Sequence, residues 1–244
     1  MSNITSQISL SINDLEEQFN VVTHNLANVS TVGYKRICST FAKSLETQAD
    51  SSEAEVSEET ELETMLDFSQ GSIIQTARPL DFALYGKGFF VIETPEGPLY
   101  TRNGMFQTNP NGQIVDSEGR IIGGQSGPIT VPIDVGLSQV NVSSDGTISA
   151  GGVDIGQFRL VDFGEDENKL VSAGASCFLM PDENVQPLAA ENIVVKQGYQ
   201  EASNVQMVEE LVNMIMVSRL YEANINIISA QEDASGSLMN LAMA

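Results

Sequence analysis

Two stretches near the ends of the chain carry apolar residues at alternating steps of four and three. The first stretch contains Ile8, Ile12, Leu15, Phe19, Val22, Leu26 and Val29. The second contains Met207, Leu211, Met214, Tyr221, Ile225 and Ile228, with polar Ser218 in the same row. This alternation is the heptad pattern of a helix with one apolar seam for a partner helix. We therefore predict two helices, which pair with each other, with other copies of the chain, or with both.

The region between these stretches has a different texture, from Ser69 to about Lys196. Short apolar runs such as Phe89-Phe90-Val91-Ile92 alternate with turn residues such as Asn109-Pro110-Asn111-Gly112. Runs of this length between Gly, Asn and Asp predict antiparallel strands. No helical crossover of about ten residues separates the runs, which excludes an α/β fold. The predicted fold class is α+β: a discontinuous N- and C-terminal α-helical coiled-coil domain with an inserted antiparallel all-β domain.

The same patterns give the domain boundaries and the helix ends. We expect an N-terminal helical part, an acidic connecting segment, a β domain and a C-terminal helical part at residues 1–36, 37–75, 76–196 and 197–244. The first helix is predicted from about Thr5 to Asn28. Ser203 or Asn204 is the predicted N-cap of the second helix.

The connecting segment is strongly acidic. Nine carboxylates and no basic residue lie between Glu46 and Asp67. Like charges resist close packing, so we predict a solvated loop or disordered segment, with a helix possible for part of it. Calcium binding is the functional alternative, but the glycine-punctuated spacing of a calcium loop is missing.

Charge and hydropathy exclude several classes of partner. The chain has 33 acidic and 11 basic residues, a formal net charge of -22. This balance repels nucleic acid and anionic lipid surfaces. No apolar run approaches the roughly 18 residues of a membrane span. The first residues lack the basic and apolar regions of a secretory signal, so we expect a cytoplasmic protein or one exported without a cleavable signal.

Residues suited to catalysis or metal binding are scarce. His24 is the only histidine, and Cys38 and Cys177 are the only cysteines. They form no metal-ligand spacing and no nucleophilic triad. Two buried thiols are favoured over a disulfide, because the cysteines belong to different predicted parts. We predict no enzyme, cofactor, metal site or small-molecule substrate.

Three blocks of sequence resemble the axial proteins of the bacterial flagellum, the rod and hook subunits. In the family's order, the first block is Asn25-Leu26-Ala27-Asn28-Val29-Ser30-Thr31-Val32-Gly33-Tyr34-Lys35-Arg36. The second block consists of Gly86-Lys87-Gly88-Phe89-Phe90 and Tyr100-Thr101-Arg102-Asn103-Gly104. The third block consists of Gln197-Gly198-Tyr199-Gln200-Glu201-Ala202-Ser203-Asn204-Val205 and Tyr221-Glu222-Ala223-Asn224. They are spread over nearly the whole chain. Flanking matches at Gln70-Gly71-Ser72 and Pro79-Leu80-Asp81-Phe82 add to the resemblance.

The resemblance implies a subunit of the flagellar rod, in the basal body and periplasm. It implies terminal helices innermost around the export channel, a β domain outside, and delivery through the flagellar type III export apparatus. The expected partners are other copies of the chain and other rod subunits. A proximal-rod type is favoured; a distal rod or short hook-type protein remains the alternative. The rival from a different class is a secreted acidic β module that binds glycans or calcium.

The resemblance and the seams together give a predicted assembly interface. Asn25 and Asn28 lie at the end of the first helix, where their amides either cap that helix or contact another subunit. Both possibilities stay open at this point. The predicted interface consists of Ile8, Ile12, Leu15, Phe19, Val22, Asn25, Leu26, Asn28, Val29, Asn204, Met207, Leu211, Met214, Tyr221, Ile225 and Ile228.

Overall fold

The computed structural model describes residues 2–45, 58–190 and 192–242, and the chain forms two compact units. The terminal unit comprises Met1–Ala27, Ile37–Met65 and Gln206–Ala244. The β unit comprises Asn28–Arg36 and Leu66–Val205. Each unit is therefore assembled from segments that are far apart in sequence.

Two helices and a two-stranded sheet form the terminal unit. Its elements are α1 (Ser2–Ala27), β1 (Arg36–Leu45), β2 (Glu58–Asp67) and α2 (Met207–Ala242). The first residue of β1 and the last two residues of β2 belong to the β unit. β1 pairs with β2. Glu209 and Glu210 lie in the first turn of α2, where negative charge is favourable next to the helix dipole.

Seventeen short strands make up the described part of the β unit. They are β3 (Ile73–Gln75), β4 (Phe82–Tyr85), β5 (Phe89–Thr94), β6 (Gly97–Thr101), β7 (Gln107–Thr108), β8 (Ile114–Val115), β9 (Ile121–Gly124), β10 (Gly127–Pro128), β11 (Val140–Val142), β12 (Thr147–Ala150), β13 (Val153–Gln157), β14 (Leu160–Asp162), β15 (Val171–Gly174), β16 (Cys177–Leu179), β17 (Leu188–Ala189), β18 (Val194–Gln197) and β19 (Tyr199–Glu201). Two 3-10 helices, Leu137–Gln139 and Gly164–Lys169, lie between them.

The largest sheet has ten strands and follows the path β15-β16-β6-β5-β9-β8-β7. On its branches, β10 pairs with β9, and β14 pairs with both β5 and β17. β11-β12-β13 form a three-stranded sheet, and the pairs β18-β4 and β19-β3 complete the unit. Strands β18 and β19, which precede α2 in the chain, thus lie beside β4 and β3, the first strands of the β unit.

Strand β5 separates two hydrophobic cores. Successive side chains of a strand point to opposite faces. Phe90 and Ile92 belong to one core, and Phe89 and Val91 to the other. Aromatic edges pack on aromatic faces in the first core, where the ring of Phe90 lies 5.1 Å from that of Phe106. Burial on both faces explains the unbroken apolar run of this strand.

The predicted fold class is wrong. The described residues hold nineteen strands and only two α-helices, and the helices share their unit with the β1–β2 sheet instead of forming a coiled-coil domain. A heptad pattern locates an apolar stripe on a helix, but it does not report how much of that stripe a partner covers. The bulk of the chain is a large antiparallel β domain.

Three smaller expectations also have an outcome. Glu58–Asp67 form strand β2 where a solvated segment was predicted, and residues 46–57 of that acidic run lie outside the described residues. The predicted cap at Ser203 or Asn204 is wrong, because α2 begins at Met207. Cys38 and Cys177 form no disulfide, as expected from their separation in the chain, and Cys177 is buried whereas Cys38 is half-buried.

Candidate functional site: the terminal helices and a buried ion cluster

The seam predicted on α1 is partly covered within its own unit. Leu15 and Val22 are buried, and Ile12 and Leu26 are half-buried. Phe19 stays exposed. The side chain of Ile8 lies outside the part of the chain whose side chains are described. Because α1 packs against α2, the covered positions are the ones that face the partner helix.

The seam predicted on α2 is mostly uncovered. Met214 and Ile228 are half-buried, whereas Met207, Leu211, Tyr221 and Ile225 are exposed. Val217 is buried instead, although the sequence placed its neighbour Ser218 in the seam. The true contact face of α2 is thus shifted by one position from the predicted row.

A second apolar face of α2 lies away from α1. We define the α2 ridge as Val208, Val212, Ile215 and Met216, which are between 50% and 75% exposed. At about 100° per residue, the ridge lies roughly 160° around the helix from buried Val217. The first turns of α2 are thus apolar on two sides, and only the side around Val217 is buried.

Asn25 is a structural residue of the terminal unit. Its Oδ1 accepts a hydrogen bond from the Ile37 backbone N–H at 2.9 Å, and its Nδ2 donates to the Ile37 carbonyl at 2.8 Å. The Nδ2 group also donates to Glu210 Oε1 at 3.4 Å. The side chain therefore pairs with the start of β1 as a strand backbone does. Its assignment to an interface between subunits stays a prediction.

A second contact between the helices is polar. Asn224 Nδ2 donates to Ser11 Oγ at 3.2 Å. Together with Glu210, which is 1% exposed, this shows that the α1–α2 contact contains polar side chains as well as apolar ones.

The remaining predicted residues lie in the β unit. Asn28 accepts a hydrogen bond from Thr31 Oγ1 at 3.0 Å, and the half-buried Val29 follows in the same turn. Asn204 Oδ1 accepts from the Arg36 N–H at 2.8 Å, while its Nδ2 donates to the Asp67 carbonyl at 2.7 Å. Asn204 thus holds two backbone segments of the β unit together, whereas the Asn28 side chain bonds within its own turn.

A buried ion cluster joins three of the sequence blocks quoted above, and sequence reasoning gave its members no role. Glu201 Oε1 accepts from Lys35 Nζ at 2.7 Å and from the Gly71 N–H at 3.0 Å. Glu201 Oε2 lies 3.6 Å from Arg102 Nη1. Residues Lys35, Arg102 and Glu201, named the ion cluster here, are each at most 1% exposed. In the sequence, the only indication of these three residues is that each quoted block contains a charged side chain.

Burial dominates the electrostatics of this cluster. It lowers the pKa of the Lys35 ammonium, and the Glu201 carboxylate opposes that shift. Burial likewise lowers the pKa of Arg102, opposed by Glu201 and then Glu167. Glu167 itself has a raised pKa, chiefly because it is withdrawn from water. The Glu201 carboxylate therefore opposes the burial cost of both cations without cancelling it.

The backbone closes tightly around the ion cluster. Gly33 N–H donates to the Glu201 carbonyl at 2.8 Å. Gly33 has φ of +69°, and a Cβ there would lie 2.4 Å from the Asn103 nitrogen. Only glycine fits this position, because a side chain is excluded both by conformation and by space. The blocks around residues 33, 102 and 201 are thus adjacent in the fold.

The described part of the chain holds neither a metal site nor a membrane-spanning helix. In residues 2–45, 58–190 and 192–242, no group of three His, Cys, Asp or Glu side chains is arranged to hold a metal ion. None of the helices, as far as the chain is described, is long and apolar enough to cross a membrane.

Comparison with known proteins identifies the family. Residues 83–150 match the family described as flagellar hook protein FlgE/F/G D1 domain, and residues 196–241 match that described as flagellar basal body rod FlgEFG protein C-terminal. The flagellar basal-body rod protein FlgF of Rhizobium meliloti is 30% identical over 92% of this chain and 90% of its own length. The chain belongs to the flagellar basal-body rod proteins.

Other rod proteins match over similar lengths. FlgG of Buchnera aphidicola from Acyrthosiphon pisum is 32% identical over 91% of this chain and 93% of its own length. FlgF of Caulobacter vibrioides is 32% identical over 86% of this chain and 85% of its own length. The prediction of a flagellar rod protein is confirmed, and the relatives are of the FlgF and FlgG type.

Membership of the rod-protein family carries its main functional consequences. The chain is a structural subunit and not an enzyme, and it belongs to the flagellar basal body. It assembles with other rod components. The second matched segment includes both Glu201 of the ion cluster and the whole α2 ridge.

Proposed function

We propose that this rod protein is a proximal-type subunit that polymerises helically through its terminal helices. In this proposal it transmits torque, lines the export channel, and contacts other copies of itself as well as other rod subunits. It reaches the periplasmic part of the basal body through the flagellar type III export apparatus. The sequence resemblance to axial proteins supports these finer assignments.

The α2 ridge is the observation that carries the proposal. Complete burial of a Val, Ile or Met side chain contributes about 1.5–3 kcal/mol, so covering the exposed half of four such residues contributes about 4 kcal/mol. Association costs at least about 4 kcal/mol in lost freedom of motion. The ridge alone is therefore marginal, so stable assembly also needs burial of an apolar surface on the neighbouring subunit.

The predicted interface residues divide into two roles in this proposal. Phe19, Met207, Leu211, Tyr221 and Ile225 are exposed and contact neighbouring subunits. The buried and half-buried members hold the helices in the position that presents those contacts. The members of this second group are Ile12, Leu15, Val22, Asn25, Leu26, Met214 and Ile228.

The β unit supplies stiffness. Two hydrophobic cores lie on either side of β5, and the ion cluster ties together segments that are 166 residues apart. A close-packed unit of this kind transmits force without large deformation. This property suits a subunit of a rotating shaft.

The test is incorporation of an α2 ridge variant into basal bodies. Ile215→Asp places a charge in the proposed contact, and burial of an unpaired charge costs several kcal/mol. The amount of subunit in purified basal bodies should fall by a factor of about ten or more, since 1.4 kcal/mol corresponds to tenfold. Mass spectrometry of basal bodies from cells with the replaced gene measures this amount.

A matched control uses the same position. Ile215→Leu keeps an apolar side chain of the same size and should be incorporated at the normal level. Circular dichroism of both purified variants establishes that they fold. Normal incorporation of Ile215→Asp would refute the proposal.

A further inference from the structure

A groove runs between α1 and α2 in the terminal unit. It has a volume of about 360 Å³. We define the helix groove by its lining residues, Leu15, Glu16, Phe19, Asn20, Val217, Ser218 and Tyr221. Buried Leu15 and Val217 form its floor, and the exposed rings of Phe19 and Tyr221 stand at its walls. The groove can therefore accept large apolar side chains.

The helix groove and the α2 ridge lie on opposite sides of α2. Val217 and Tyr221 are roughly 160° around the helix from the centre of the ridge. One helix pair thus presents an apolar concave surface on one side and an apolar convex surface on the other. A surface of each kind on opposite sides suits a head-to-tail contact, which continues from copy to copy.

Charge supports the same pairing. Arg219 is the only Lys or Arg of α2, and it lies beside the ridge, one turn after Ile215. Glu16 lies in the lining of the helix groove. Copies of a chain with net charge -22 repel each other, so an attractive pair at the contact favours one orientation over others.

We propose that the α2 ridge of one copy docks into the helix groove of a second copy of this chain. This inference rests on the proposed function and names the partner of its interface. Val212, Ile215 and Met216 enter the groove between Phe19 and Tyr221, and Arg219 faces Glu16 of the second copy. Each copy then still offers one free ridge and one free groove, so the assembly stays open at both ends.

Complementation between two defective variants tests the pairing. Ile215→Asp disables the ridge, and Phe19→Lys disables the groove while adding a charge that repels Arg219. Both positions are exposed, so both variants should fold, and circular dichroism checks this. Sedimentation velocity over a concentration series measures association of the wild type, of each variant alone, and of their equimolar mixture.

The expected results are specific to a ridge-in-groove contact. The wild type should form oligomers that grow with concentration, and each variant alone should associate about tenfold or more weakly. The mixture should form dimers and nothing larger, because it contains one intact ridge surface and one intact groove surface per pair. As a further check, Glu16→Arg and Arg219→Glu should each weaken association, and their combination in one chain should restore it.

Other outcomes overturn the inference. A mixture that stays monomeric contradicts it, and so does undiminished association of either variant alone, since ridge–ridge or groove–groove contacts would then operate. A wild type that stays monomeric at every concentration shows that the partner is not a second copy. The proposed function survives that last result if incorporation into basal bodies still depends on Ile215.

Discussion

Removing the charge of Glu201 should strongly destabilise the β unit. Its carboxylate is fully buried and lies 2.7 Å from Lys35 Nζ and 3.6 Å from Arg102 Nη1. Glu201→Gln preserves the shape but leaves two buried cations without this counter-charge. Loss of one partner of a buried ion pair costs about 3–5 kcal/mol. That is a large part of the roughly 5–15 kcal/mol that stabilises a typical domain.

Urea unfolding followed by circular dichroism measures this loss. With a slope of about 2–3 kcal/mol per molar urea, the midpoint should fall by about 1–2 M. Glu118→Gln is the matched control: its carboxylate is 52% exposed and pairs with Arg120 at the surface, so its loss should cost less than about 1 kcal/mol.

A double substitution separates the charge effect from a general loss of packing. Adding Lys35→Met to Glu201→Gln removes one of the two buried cations that lack a counter-charge. The loss of unfolding free energy in the double variant should therefore be smaller than the sum of the losses in the two single variants. A midpoint for Glu201→Gln equal to that of the wild type would refute this reasoning, as would strict additivity in the double variant.

Three further predictions concern Glu167, Gly104 and Gly236. Because burial raises the pKa of Glu167 above its ordinary value, its ionised form costs stability. Glu167→Gln should therefore be more stable than wild type at pH 7, and urea titrations should show this advantage shrinking as pH falls through the raised pKa. Gly104→Ala places a Cβ 1.9 Å from the Phe82 carbonyl oxygen and should lower the thermal midpoint by an amount equivalent to about 3 kcal/mol, whereas Gly136→Ala should be nearly neutral, since its nearest contact is at 3.7 Å. Gly236→Ala, with open space around it in α2, should stabilise that helix by about 1 kcal/mol and raise its helical signal in circular dichroism.

Local sequence patterns were sufficient to locate the elements with a regular period. Steps of three and four residues located α1, and the unbroken run at residues 89–92 located β5. Strand β2 was missed because its carboxylates resemble those of a solvated segment, and pairing with β1 depends on residues about twenty positions away. Local composition could not report that pairing.

The site was only partly predictable for the same reason. Apolar positions on α2 were recognised, but their burial depends on which face meets α1, and the contact centres on Val217 instead of Ser218. The ion cluster was missed because Lys35 and Glu201 are distant in sequence and a charge alone is usually a surface residue. Only the tertiary fold reveals that these charges neutralise each other.

Protection of the α2 ridge in assembled basal bodies is the most direct test of the account. Ile215→Cys, in a chain with Cys38→Ser and Cys177→Ala, provides one thiol for reaction with a maleimide. The thiol should react readily in the free subunit and in denatured basal bodies, and it should be protected in intact basal bodies. Equal reactivity in free subunits and intact basal bodies would contradict the claim that this face of α2 is buried by a neighbouring subunit.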